Sequence, residues 1–179
     1  INVKSKTNTL GGAGNVVSNL ISLGAKVEAV GLLGIDSEGT EIIKRLEEMK
    51  IDPYWLKFEM DRPTTVKTRI MADNQQLLRI DKESTKPISE ETFYKVSGAI
   101  ASRMKNADII IVSDYNKSLI SRKLIVTIID IASIDDLKIL VDPKSKEFSK
   151  YQGVTIITPN QREASIASGL FYDTGYDLQ

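Results

Sequence analysis

The strongest constraint on the fold is a β-branched run that ends in charge. Residues 108–113 read Asp-Ile-Ile-Ile-Val-Ser, and Asp114-Tyr115-Asn116-Lys117 follows at once. A short apolar run bounded by polar residues fits a strand covered on both faces, so Asp108 to Ser113 is predicted to be a buried central strand. The pattern recurs: Lys138 to Val141 closes on Asp142-Pro143-Lys144, and Val154 to Thr158 closes on Pro159-Asn160. Amphipathic helices lie around these strands. Ser89 to Met104 carries the stripe Phe93, Val96, Ile100 and Met104, with Ser89 as cap and Glu90, Glu91 and Thr92 in its first turn. Ser121 caps a second helix, with Leu124, Ile125, Ile128, Ile129 and Ala132 inward, and Gln161 to Ser168 starts a third that Gly169 ends. Strands alternating with helices predict a mostly parallel sheet and an α/β fold.

The front of the chain keeps the rhythm. Ile1 to Thr9 alternates and predicts a short strand. Gly11, Gly12 and Gly14 then crowd one turn, and Ala13, Val16, Val17, Leu20 and Ile21 share a helical face, with Gly24 placed for a left-handed C-terminal cap. Glycines before a helix let backbone N–H groups approach a polar group closely. Asn15 lies in the first turn. The motif therefore fits a hydroxyl-rich or anionic ligand at the helix start, or a tight turn that Asn15 caps. It is neither the dinucleotide glycine pattern nor a P-loop. Val27 to Leu33 reads as a buried strand. Asp36, Ser37 and Glu38 open a helix with Ile42, Ile43, Leu46 and Met49 on one face, and Tyr54 to Phe58 reads as another strand.

One segment breaks the alternation. Thr64 to Met71 puts Val66, Thr68 and Ile70 on one face and Thr65, Lys67, Arg69 and Met71 on the other. Asp73-Asn74 makes a plausible turn, and Gln76 to Asp81 a second strand, so a β-hairpin over about residues 62–82 is predicted within the α/β core. Lys67 and Arg69 share a face, with Arg79 from the partner strand. That pattern suits a phosphate, or an ordinary solvated strand face.

Composition excludes several chemistries. The 179 residues contain no cysteine and no histidine, which removes disulfides, Cys or His metal sites, Ser-His-Asp triads and imidazole bases. Lys+Arg and Asp+Glu are both 24, so bulk attraction to nucleic acid or a membrane surface is not indicated. No apolar run has membrane-spanning length, and a cytoplasmic location is the default expectation. The chain begins at Ile1 in what reads as mid-strand, which predicts a piece of a longer protein.

Ligands of open α/β sheets bind beyond the carboxyl ends of the strands. Three such ends carry polar clusters: Asp114 with Tyr115 and Lys117, Asp142 with Lys144, and Asn160 with Glu163. Each also suits a turn or cap, and Asn160 to Glu163 fits a capping box.

These residues resemble a family, the PfkB or ribokinase-like carbohydrate kinases. Gly11-Gly12-Ala13-Gly14-Asn15 is similar to their first sugar-binding motif, and Thr158-Pro159-Asn160-Gln161-Arg162-Glu163 to their Asn-x-x-Glu motif. Within the family the likeness is greatest to the kinases of D-glycero-β-D-manno-heptose 7-phosphate, the kinase parts of bifunctional enzymes of ADP-heptose synthesis. It is carried by Thr65-Val66-Lys67-Thr68-Arg69, Asn74-Gln75-Gln76-Leu77-Leu78-Arg79-Ile80-Asp81, Ser113-Asp114-Tyr115-Asn116-Lys117 and Val141-Asp142-Pro143-Lys144. It runs from about Ile1 to about Leu170.

The resemblance implies a three-layer ribokinase-like sandwich with the hairpin as lid, residues 1–179 being one partial kinase domain. It implies transfer of the γ-phosphoryl of ATP, with Mg²⁺, to the anomeric hydroxyl of heptose 7-phosphate, a step toward the lipopolysaccharide core. Gly11, Gly12 and Asn15 would hold sugar hydroxyls. Gln75 joins the substrate set. Lys67, Arg69 and Arg79 are assigned to the sugar phosphate on charge and face. Asp114 and Lys117 would line the sugar–phosphate cleft. Asp142, Lys144, Asn160 and Glu163 would serve the nucleotide, with Glu163 reaching Mg²⁺ through water. The implied partners are the sugar phosphate, ATP and a second copy joined through the hairpin, with no nucleic acid and no membrane. The family's late Gly-Ala-Gly-Asp motif, whose Asp is the catalytic base, is absent, and so is its N-terminal sugar-binding strand. The chain alone is therefore expected to show no turnover. A kinase of another sugar or nucleoside, and a non-catalytic sugar-binding or dimerisation module, are the alternatives.

Overall fold

The computed structural model describes residues 3–72, 75–144 and 147–169. The chain divides into two compact units, Ile1–Ser84 with Ile88–Ala99, and Thr85–Pro87 with Ile100–Gln179.

The first unit contains α1 (Ala13–Ser22), β1 (Gly31–Gly34), α2 (Ser37–Glu48), β2 (Leu56–Glu59), β3 (Val66–Ala72), β4 (Gln75–Lys82) and the front of α3 (Glu90–Met104). β1 and β2 pair in parallel, Gly31 opposite Leu56. A parallel pair needs a crossover, and the apolar stripe of α2 makes it one. Leu33, Leu46, Ile51 and Leu56 form the core, and Val17 and Ile21 of α1 and Ile42, Ile43 and Met49 pack against it. The predicted face of α2 is thus the face that packs, whereas of the predicted α1 face Val17 and Ile21 pack here and Ala13 is exposed. Gly34 has no room for a side chain: a Cβ there would lie 2.3 Å from the Arg62 carbonyl oxygen and 2.5 Å from the Thr64 nitrogen. The chain entering β3 crosses the end of β1 at that point.

Three local expectations differ from what forms. Residues 3–9 make no strand, because alternation alone forms none without a neighbouring ladder. The strand predicted from Val27 is confined to Gly31–Gly34, although Val27 and Ala29 still pack on the core. A single 3-10 turn, Pro53–Trp55, precedes β2, because the Asp52 side chain accepts from the Tyr54 N–H at 2.9 Å and Pro53 fixes the turn.

β3 and β4 pair antiparallel, with Lys67 opposite Asp81 and Arg69 opposite Arg79. Ile70 pairs with Leu78 and Met71 with Gln76, so Leu77 is the extra residue of a bulge. The predicted Asp73-Asn74 turn lies outside the described residues.

The second unit contains the end of α3, β5 (Ile109–Ser113), α4 (Arg122–Ala132), β6 (Lys138–Asp142), β7 (Ile156–Ile157) and α5 (Gln161–Ser168). All three strands are parallel in the order β5-β6-β7. Among the described residues the middle strand of this sheet is therefore β6, with the Ile-rich β5 at its edge and Ile109 half exposed. Ile139 and Val141 of β6 are buried, as are Leu124, Ile125, Ile128 and Ala132 of α4, which packs on that strand. Among the described residues the parallel strands thus lie in two sheets, one in each unit.

Candidate functional site

Parallel strands point the same way, so the carboxyl ends of β5, β6 and β7 share one rim of their sheet. That rim brings together three predicted clusters, residues 114–117, 142–144 and 160–163. At its centre the Lys144 ammonium lies 2.9 Å from Glu163 Oε1 and 3.8 Å from Asp142 Oδ1. Asn160 is the N-cap of α5. Its Oδ1 accepts the Glu163 N–H, and Glu163 Oε2 accepts the Asn160 N–H, each at 2.9 Å. The hydrogen bond to Glu163 raises the Lys144 pKa, and the charges of Asp142 and Glu163 add to it. Burial works to raise the Glu163 pKa, but Lys144 and the Asn160 N–H outweigh it and hold Glu163 below the ordinary range.

Asp114 does something other than expected. Its side chain is 1 % exposed and turned inward. Oδ2 meets the Lys150 ammonium at 2.6 Å and accepts the Tyr151 hydroxyl at 2.5 Å, while Oδ1 accepts the Asn116 N–H at 2.6 Å. Lys150 also donates to the Ile120 carbonyl at 3.1 Å. One lysine thus ties both ends of the 114–120 loop, in which Asn116 and Ser118 adopt left-handed backbone at φ 54° and 65°. The carboxylate shapes the loop that presents Tyr115 and Lys117 and offers no open oxygen to a ligand.

In the first unit, Gly12 is the N-cap of α1 at φ 53°, ψ −129°, a conformation open to glycine. It makes no side-chain cap, and Gly11 and Asn15 are exposed beside it. On the hairpin, Lys67 meets Asp81 at 2.8 Å and Glu83 at 3.2 Å, and Arg79 meets Asp81 at 2.9 Å. Hydrogen bonding to Asp81 raises the Lys67 pKa, with Glu83 assisting. The cationic face is therefore partly compensated. Arg69, exposed and opposite Arg79, faces a like charge, an arrangement that an anion would relieve. Gln75 is exposed at the start of β4.

The base of the hairpin is tied down by a contact that sequence reasoning did not foresee, although Asp36 itself was expected at the start of α2. Asp36 caps α2 by accepting the Gly39 N–H, and it also accepts the Thr64 N–H and the Lys82 ammonium. Burial pushes its pKa up, but hydrogen bonds from Thr64, Gly39 and Lys82 prevail and lower it far below the ordinary carboxylate value. A cavity of about 290 Å³ lies beside this knot, lined by Gly34, Ile35, Asp36, Thr40, Ile43 and Phe58. Lys150 and Tyr151 were missed as well; the one available sign was an aromatic residue within the polar run 149–152.

The nucleotide and Mg²⁺ implied by the resemblance can be tested against these donors. Among the described residues no group of three or more ligating side chains could hold a metal by itself. Mg²⁺ commonly takes one or two carboxylates and leaves its other positions to water and phosphate. Asp142 and Glu163 already share one ammonium between them, so the pair fits a cation of that kind.

Comparison with known proteins bears on the family and the fold. A model of the pfkB family carbohydrate kinases matches residues 1–174. The protein named Bifunctional protein HldE from Wolinella succinogenes is 42% identical over 170 residues, which is 95% of this chain and 36% of that protein. Its namesake from Helicobacter hepaticus is 42% identical, with 95% and 35% covered. The chain thus spans about a third of the length of the curated relatives it matches. Among solved structures, Arabidopsis thaliana ribokinase complexed with ribose and ATP superposes with a TM-score of 0.68 at 18% identity, covering 94% of this chain and 55% of that one. The tetrameric inhibited form of phosphofructokinase-2 from Escherichia coli gives 0.68 at 15%, covering 94% and 58%. The fold is ribokinase-like, and the chain belongs to the pfkB family of carbohydrate kinases.

Proposed function

We propose that the chain is part of an ATP-dependent kinase that phosphorylates the anomeric hydroxyl of D-glycero-β-D-manno-heptose 7-phosphate. The product is the 1,7-bisphosphate, used for ADP-heptose and the lipopolysaccharide core. The carrying observation is the rim of the second unit, where three parallel strands end together in Lys117, Lys144, Asn160 and Glu163. Phosphoryl transfer needs positioning and charge neutralisation more than covalent chemistry, and this rim supplies both. The choice of sugar is supported by the Asn-Gln-Gln and Ser-Asp-Tyr blocks and by the names of the relatives.

Each unit then has its own task, the two being parts of one kinase domain. In the first, Gly11, Gly12 and Asn15 bind sugar hydroxyls, Lys67, Arg69 and Arg79 serve the 7-phosphate on a hairpin that acts as lid, and Gln75 joins the substrate-binding set. In the second, Lys117 and Lys144 take phosphate charge, and Asp142, Asn160 and Glu163 orient the nucleotide. Mg²⁺, when bound, neutralises charge on the β- and γ-phosphates. Asp114 acts through the loop it shapes. The anomeric hydroxyl must lose its proton to a base, and the 179 residues contain no Gly-Ala-Gly-Asp to supply one. The chain alone is therefore a binding protein.

Exposed Ile70, Leu78 and Ile80 on one hairpin face favour a homodimer through β3 and β4. Sedimentation of Ile80→Lys against the parent chain tests it, with a shift to monomer expected. Among the described residues no helix is long and apolar enough to cross a membrane. A cytoplasmic location is part of the same proposal.

The test is a thermal-shift panel with the purified chain. Heptose 7-phosphate is expected to raise the Tm, unphosphorylated sugars and nucleosides to leave it unchanged, and added ATP to give no ADP. Stabilisation by a nucleoside or ribose instead would move the assignment to another kinase of the family, and ADP formation would refute the binding-only state of this chain.

A further inference from the structure

We infer that Lys144 is a resident cation: its ammonium holds the position between Asp142 and Glu163 that a divalent ion takes, and it transfers to nucleotide phosphate when that ion arrives. This rests on reading the second unit's rim as the nucleotide site. The two carboxylates converge on one ammonium, at 2.9 Å from Glu163 and 3.8 Å from Asp142. The cap of α5 fixes the Glu163 side chain, whose Oε2 accepts the Asn160 N–H. Glu163 therefore turns away only by giving up its bond to the Asn160 N–H, and while that bond holds its other oxygen stays aimed at the cation position.

Lys144 is the partner free to move. Its side chain is 34 % exposed on a flexible four-carbon stem, whereas that of Glu163 is 16 % exposed. An ion pair this open contributes little stability and exchanges readily. Mg²⁺ or Mn²⁺ brought beside the same carboxylates repels the ammonium, and a polyphosphate at the rim offers it a new partner. The outcome is an exchange in which total charge at the carboxylates stays compensated throughout. Lys150, clamped on buried Asp114, has no such freedom.

The test uses the purified chain, with Mn²⁺ alone as one probe and metal-free ADP as the other. Free Mn²⁺ is read by electron paramagnetic resonance and ADP binding by calorimetry. Lys144→Gln is expected to tighten Mn²⁺ binding about fivefold, the size expected of losing one competing half-exposed pair. The same variant is expected to weaken ADP binding by about fivefold or more, because a phosphate loses its cation. Lys144→Arg keeps the charge and is expected to hold Mn²⁺ binding near the parent value, and adding Glu163→Gln to Lys144→Gln abolishes the gain. Unchanged or weaker Mn²⁺ binding in Lys144→Gln would overturn the resident-cation role. Failure of the parent chain to bind ADP with Mg²⁺ would instead overturn the nucleotide reading on which it rests.

Discussion

Lys150 and Lys67 each hold an aspartate, at 2.6 Å and 2.8 Å, in different surroundings. Lys150 and Asp114 are 13 % and 1 % exposed, and Tyr151, Asn116 and Ile120 complete their hydrogen bonds. Lys67 and Asp81 are 32 % and 25 % exposed on a two-stranded hairpin. The buried pair fixes backbone: it draws a loop with two left-handed residues into one shape. The open pair fixes little and leaves its lysine able to change partners. Of the two aspartates, the buried one serves as scaffold for its loop, and the half-exposed one leaves its lysine accessible.

The largest expected effect tests the buried side. Lys150→Met leaves the Asp114 carboxylate buried without its cation, which costs about 3–5 kcal/mol in comparable cases. Urea denaturation measures it, and adding Asp114→Asn is expected to recover much of the loss. A loss below about 1 kcal/mol would erase the distinction between the two pairs, since exposed pairs fall in that range. Asn160→Ala is the intermediate case. Removing the α5 cap costs about 1 kcal/mol; Glu163 keeps its bond to the backbone N–H of residue 160, so a fall in nucleotide affinity larger than the fall in stability reports the Asn160 amide itself.

On the open side, Lys67→Met should change stability by less than about 1 kcal/mol and lose its effect in high salt. In the full-length kinase, Lys67→Ala with Arg69→Ala should raise KM for the sugar phosphate while KM for ATP holds. An unchanged sugar-phosphate KM would remove these residues from the 7-phosphate.

The smallest effect is in pH. Asp36 and Glu163 have lowered pKa values, so their stabilisation is complete above the ordinary carboxylate value and is lost as pH falls through their lower folded values. Lys67 and Lys144 have raised values, so theirs is complete below the ordinary lysine value and is lost only as pH rises through the higher folded values. With no histidine present, the urea midpoint should be flat from about pH 5 to 8 and fall below about pH 4. A step near pH 6.5 would contradict this assignment of the titrating groups.

Much of this was legible from sequence because it is periodic or local. The stripes of α2 and α4, the Asn160–Glu163 capping box and the alternation of β3 each repeat at the spacing of their element. Other features depend on contacts far apart in the chain. Asp114 and Lys150 are joined only once β5 and the 148–151 turn come together, and a lone lysine in a polar run gives no sign of it. A strand-end aspartate looks the same in sequence whether it faces a cleft or the core. The rank of β5 and β6 in their sheet was hidden likewise, because apolar runs report burial and not neighbours. The Asp36–Thr64–Lys82 knot spans 46 residues and has no local mark beyond the cap that Asp36 supplies.

The most direct test of the central claim, that the open groups at the second unit's rim receive nucleotide phosphate, is an NMR titration of the chain with ADP and Mg²⁺. The account predicts saturable amide shifts at Lys117, Lys144, Asn160 and Glu163, with the Lys67–Arg79 strands unmoved. Shifts confined to the hairpin, or none at the rim at saturating ADP, would contradict it.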